Sequence, residues 1–88
     1  MKISKILKFP SVRILLFMHE HEEVRYTDLA RIFSSRGTLS SNLKTLEKEK
    51  LVERRVEPSK PIKAFYSLTN KGKEIAIRFK EMERIQKE

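Results

Sequence analysis

The sequence predicts an α+β fold, mainly helical, in a single domain over residues 1–88. Leu39, Leu43 and Leu46 recur at the spacing of one helix face, and so do Ile75, Phe79, Met82 and Ile85. Between these segments lies a run with strand character, interrupted by Pro58 and Pro61, which cannot sit inside a sheet ladder. Hydrophobic residues make up 39% of the 88, enough for one modest core.

Taken in order, Ile3, Ile6 and Leu7 suggest a short amphipathic turn or helix, interrupted by Phe9-Pro10-Ser11. Ser11 is expected to cap a core helix from about Val12 to His21. Val24 and Tyr26 alternate as a brief strand would. Thr27 is the expected cap of the next helix, with Asp28 in its first turn and Leu29, Ile32 and Phe33 on its buried stripe. Ser34 to Gly37 reads as a tight turn, and Ser35 as the cap of a helix ending near Lys48 or Glu49. Leu51 to Val56 and Ile62 to Leu68 read as two strands of a hairpin tipped by Glu57 to Pro61. Ile62, Ala64, Tyr66 and Leu68 share one face of the return strand. Thr69 caps a last helix reaching about Ile85. Two helices joined by a short turn, then a two-stranded wing and a long C-terminal helix, make the winged helix-turn-helix layout.

The charge is +8, with 20 Lys and Arg against 12 Asp and Glu. Residues 36–63 alone hold eight bases and four acids. Such a basic domain points to a polyanion, nucleic acid before acidic membrane, although charge-rich chains of this kind also occur where ion-pair networks aid stability. No apolar run approaches the ~18–20 residues that span a membrane. Lys5 and Lys8 break the N-terminal apolar stretch, which rules against a secretion signal. Without cysteine there is no disulfide, thiol switch or cysteine zinc cage. A cytoplasmic protein is the simplest expectation.

Leu43-Lys44-Thr45-Leu46-Glu47-Lys48-Glu49-Lys50-Leu51-Val52-Glu53-Arg54 resembles the LxxLExxGLVxR signature of winged-helix repressors. Tyr66-Ser67-Leu68-Thr69-Asn70-Lys71-Gly72-Lys73-Glu74 resembles their YxLTxKGxE signature. Together, in this order and around a hairpin, the two resemble the MarR, PadR and HxlR superfamily of transcription regulators. The segment from Pro61 to Gly72 is closest to the HxlR and PadR branches. The resemblance spans about residues 11–76 and implies a DNA-binding regulator rather than an enzyme. Lys50 stands where the family has glycine, so it must adopt a left-handed conformation or end the helix differently. The turn before the helix is about one residue shorter than the family's.

The helix from Arg36 to Lys48 has an unusual outer face. Thr38, Ser40, Ser41, Asn42 and Thr45 are weak helix formers, because their side chains compete for backbone hydrogen bonds. With the leucines inward, Gly37, Ser41, Lys44 and Lys48 point away, flanked by Thr38, Ser40 and Thr45. Short side chains let a helix enter a major groove, and Ser, Thr and Asn both donate to and accept from base edges. Capping accounts for Ser35 and Thr38 but not for Ser41, Asn42 and Thr45. Arg36, Lys44 and Lys48 are expected on phosphates. Arg54, Arg55, Lys60 and Lys63 surround the wing, and Lys60 at its tip is the best placed for a minor groove. Each of these is equally readable as a solvated surface charge.

His19 and His21 are two residues apart and so lie on different helix faces, which argues against a metal site. No catalytic set is recognisable and no cofactor is expected. Phe65 is left either exposed or covered by the terminal helix. Ile3, Ile6, Leu7, Ile75, Phe79, Met82 and Ile85 are expected to form a dimer seam through residues 1–9 and 70–88, or else to pack within the domain. The sequence reading is thus a homodimeric, sequence-specific, double-stranded DNA-binding repressor. Its rivals are an architectural DNA-binding protein and a winged helix used for protein contacts.

Overall fold

The computed structural model describes residues 3–88, with Ile3 described by its backbone alone. The elements are α1 (Ile3–Ile6), α2 (Pro10–His19), β1 (Val24–Arg25), α3 (Tyr26–Ala30), α4 (Arg36–Lys48), β2 (Val52–Glu57), β3 (Lys63–Leu68) and α5 (Asn70–Lys87). The three strands form one antiparallel sheet in the order β1-β3-β2. β2 and β3 pair from Val52 opposite Leu68 out to Glu57 opposite Lys63, while β1 pairs only at Val24 with Tyr66 and Arg25 with Phe65. The winged helix-turn-helix layout is therefore present. Among the described residues no helix is long and apolar enough to cross a membrane.

The core forms where α2, α3, α4 and the sheet converge. Ile14, Leu15 and Met18 of α2, Leu29 of α3, and Leu39, Leu43 and Leu46 of α4 are buried there with Val24, Val52, Tyr66, Leu68 and Ala76. The α4 leucines are each at most 3% exposed, as their spacing predicts. No buried side-chain nitrogen or oxygen among the described residues lacks a partner.

Two helix starts differ from the sequence expectation. α2 begins at Pro10 with Phe9 as N-cap, because proline is pre-set for the first helical position. Ser11 is therefore inside the helix and not its cap. α3 begins at Tyr26, which shortens the expected strand, and its N-cap is Arg25 rather than Thr27. The Arg25 N–H donates to the Asp28 carboxylate at 3.0 Å. α3 stops at Ala30, so Ile32 and Phe33 are half-buried in the following turn. Ile62 lies before β3, not in it, and is 72% exposed. Ser35 and Thr69 do cap α4 and α5, accepting from the N–H groups of Thr38 at 3.2 Å and Gly72 at 3.0 Å.

The end of α4 resolves the question posed by Lys50. Its φ is 61°, the left-handed conformation. The Leu51 N–H donates to the Leu46 carbonyl at 2.9 Å and the Lys50 N–H to that of Glu47 at 3.0 Å. This paired closure is the Schellman arrangement, normally served by glycine. Lys50→Gly is expected to stabilise the fold by about 0.5–1 kcal/mol, since relieving a crowded Cβ outweighs glycine's added unfolded-state entropy. Calorimetry should show a Tm gain of roughly 2–8 °C.

Candidate nucleic-acid interface

α4 is held on three sides, and each support uses residues remote in sequence. From α2, the Arg13 guanidinium donates to the Ile32 carbonyl at 2.7 Å and lies 4.7 Å over the Phe33 ring, pinning the turn between α3 and α4. Also from α2, the Ser11 hydroxyl donates to Oδ1 of Asn42. From α3, the Tyr26 hydroxyl shares a 2.8 Å hydrogen bond with Ser40.

The third support is the start of α5, which clasps the closing turn of α4. The Thr69 N–H donates to the Leu51 carbonyl at 3.1 Å, and its hydroxyl donates to the Lys50 carbonyl at 2.7 Å. Lys71 Nζ reaches the Glu49 carbonyl at 3.4 Å. Gly72 lies so close that a Cβ there would sit 1.9 Å from the Leu51 carbonyl oxygen. The second sequence signature is thus a mechanical link between the long helix and the end of α4.

These supports divide the expected contact residues. Arg36, Gly37, Thr38, Ser41, Lys44, Thr45 and Lys48 are exposed or half-exposed along one side of α4. Ser40 and Asn42 are half-buried and turned to neighbours, contrary to the expectation that both belong to the outer face. Asn42 also donates from Nδ2 to the Thr38 carbonyl at 2.7 Å, so its amide is fixed on both ends. The Thr45 hydroxyl donates back to the Ser41 carbonyl at 3.2 Å, leaving its oxygen able to accept. At Gly37 a Cβ would meet only Ser35 Oγ, at 3.7 Å, so nothing inside the chain requires glycine there.

The wing cations also divide. Arg55 pairs with Glu23 at 2.9 Å and stacks 4.5 Å over the Phe65 ring. Arg55 lies over the Phe65 ring and is a strut between the wing and the segment before β1. Arg54 and Lys60 are exposed and Lys63 is half-buried. Among the described residues none of Arg36, Lys44, Lys48, Arg54, Lys60 or Lys63 is in an ion pair. Neither Ser11 nor Tyr26 stands out in the sequence as a support of α4, because each meets it across a fold contact that periodicity does not register.

The Arg55 hydrogen bond holds the Glu23 carboxyl below its ordinary 4.5, and Lys80 does the same for Glu20. Since the folded values are depressed, each pair stabilises the fold above the unfolded carboxyl range and is lost as pH falls through the folded value. Carboxyl titration by NMR should place the Glu23 midpoint below 4.5. Arg55→Ala should raise that midpoint while leaving Glu20 unchanged.

The expected dimer seam is also divided. Ile75 and Phe79 pack against the domain's own core and are half-buried there. Met82 is half-buried and Ile85 is 56% exposed beyond the body of the domain. Ile6 and Leu7 are half-buried near α5, and the Ile3 side chain lies outside the described residues. Among the described residues no group of three His, Asp or Glu is placed to hold a metal.

Residues 10–88 match the HxlR-like helix-turn-helix family. The chain belongs to that family. Its members are winged-helix transcription regulators, not enzymes. The HTH-type transcriptional regulator YodB of Bacillus subtilis is 43% identical over 49 residues, a match covering 56% of this chain and 44% of YodB. That alignment therefore spans less than half of the relative. The structure of reduced YodB superposes with a TM-score of 0.74 at 30% identity, covering 92% of this chain and 80% of that one. A protein of Archaeoglobus fulgidus shares the fold, with a TM-score of 0.82 at 23% identity over 98% of this chain and 97% of that one.

Proposed function

We propose that the chain binds double-stranded DNA sequence-specifically as a homodimer and represses transcription by occluding promoters. The observation that carries this reading is the row of residues along the outer side of α4. Arg36, Lys44 and Lys48 have no acidic partner among the described residues, and Gly37, Thr38, Ser41 and Thr45 between them are all short. α4 would lie in a major groove, with its lysines on phosphates and its hydroxyls on base edges. The N-terminus of α4 attracts phosphate in its own right. Arg54, Lys60 and Lys63 would follow the neighbouring backbone, while Arg55 keeps its structural pairing.

The dimer half of the reading rests on α5. Its 18 residues extend about 27 Å, and beyond Ile75 and Phe79, which pack against the core, Met82 is half-buried and Ile85 exposed. A two-fold partner laid along this end and α1 would cover them. The two α4 helices would then reach half-sites about 34–36 Å apart.

Titration into a labelled fragment from upstream of its own gene, and into a scrambled duplex, tests the reading. Fluorescence anisotropy at two salt concentrations should show preference for the native fragment that persists at the higher salt. Equal, salt-labile binding to both would favour a non-specific architectural role. Sedimentation equilibrium should give a dimer, and Ile85→Glu should shift it toward monomer.

A further inference from the structure

Ile62 is the most exposed large hydrophobic side chain among the described residues, at 72% against 56% for Ile85 and 42% for Phe9 and Val56. It sits at the tip of the wing. β1 pairs only as far as Phe65, so beyond that point the hairpin is two strands alone. The three residues from Phe65 to Ile62 carry the tip roughly 10 Å past the third strand, at about 3.4 Å each.

The tip is also stiff. Pro58 and Pro61 have their φ locked by their rings. The Ser59 N–H donates to the Glu57 carbonyl at 2.8 Å, and the Ser59 hydroxyl donates to the Pro61 carbonyl at 3.0 Å. Lys60 and Lys63 flank Ile62, and the nearby acid Glu57 lies opposite Lys63 in the ladder. A hairpin tip that only met water would be served by polar turn residues. A branched apolar side chain on a rigid tip between two cations instead fits a groove with phosphate-lined rims and a base stack that an apolar wedge can enter.

We propose that Ile62 is an apolar minor-groove contact that wedges against the base stack at the edge of the DNA site. The minor groove is about 6 Å wide and 7.5 Å deep, which admits a hairpin tip but not the hairpin's body. Apolar wedges, isoleucine and proline among them, are used in minor grooves to unstack a base step partially. Lys60 and Lys63 hold the flanking phosphates. Affinity then depends on an easily unstacked pyrimidine–purine step beneath the tip, at a position no hydrogen bond reads. This inference rests on the DNA-binding reading and adds to it a residue that no charge argument selects.

The test uses the whole chain and a duplex recovered by the wild-type protein from a randomised pool. Ile62→Ser should bind this duplex about tenfold more weakly, because less apolar surface is buried. Its salt slope should be unchanged, since no charge is removed. Hydroxyl-radical protection should vanish at the outer minor-groove positions while the central footprint persists, and Ile62→Met should restore both. Circular dichroism should show each variant folded, as the side chain is outside the core. Wild-type affinity and footprint in Ile62→Ser, with binding still weakened by Lys44→Ala, would overturn the wedge and leave the DNA reading intact. Loss of the dimer in Ile62→Ser would overturn it too, by placing the side chain against a second copy. Failure of the wild-type protein to enrich any duplex would overturn the DNA reading itself.

Discussion

Gly72→Ala is expected to destabilise the protein by about 3 kcal/mol or more, through backbone collision rather than helix propensity. Alanine is the better helix former, so propensity alone predicts a gain of up to about 1 kcal/mol. Geometry reverses the sign. The new Cβ would lie 1.9 Å from the Leu51 carbonyl oxygen, an atom fixed by its hydrogen bond from the Thr69 N–H. Relief requires α5 to move away from the end of α4, which breaks the Thr69 bonds to Lys50 and Leu51. A chain of this size holds only about 4–13 kcal/mol of net stability. Calorimetry at fixed protein concentration should show a Tm drop of roughly 12–24 °C. Gly37→Ala is the matched control, because a Cβ there meets only Ser35 Oγ, at ordinary van der Waals distance. It should be neutral or slightly stabilising. Equal behaviour of the two variants would refute the clasp.

The second large effect separates affinity from specificity on one helix face. Lys44→Ala should weaken binding to all duplexes about equally and lower the salt slope by about one. Ser41→Ala and Thr45→Ala remove no charge and should leave the salt slope unchanged. They should instead reduce discrimination between the preferred duplex and a scrambled one, by roughly 1–3 kcal/mol for each base edge no longer read. Anisotropy titrations on both duplexes across a salt series read the two effects independently. Asn42→Ala is a useful contrast, since its amide joins Ser11 of α2 to the Thr38 carbonyl of α4. Its removal should lower thermal stability. Unchanged specificity in both the Ser41 and Thr45 variants would show that this face does not read bases.

Local chemistry explains which elements were legible. The leucines of α4 announce a helix because one face recurs at fixed spacing. Ser35 and Thr69 announce its start and that of α5, because a side-chain oxygen answers a nearby orphan N–H. Pro58 and Pro61 announce the wing tip because neither can donate to a ladder. All of these are interactions within a few residues. The misplaced starts of α2 and α3 have the same local character. There proline at the first position and a carboxylate three residues on competed with the hydroxyls of Ser11 and Thr27.

Within the candidate site, sequence alone determined which residue types α4 carries and that several are too short and polar for a merely solvated helix. It also pointed to the family, through two signatures bracketing the hairpin. Tertiary structure decided how those residues divide. Ser40 and Asn42 are drawn inward by Tyr26 and Ser11, Arg55 is held by Glu23 and Phe65, and Ile75 and Phe79 lean half-buried against the core. Each of those partners lies on another element or segment of the chain. Spacing along a chain encodes which face a side chain occupies, but only the packing of elements determines what waits on that face to meet it.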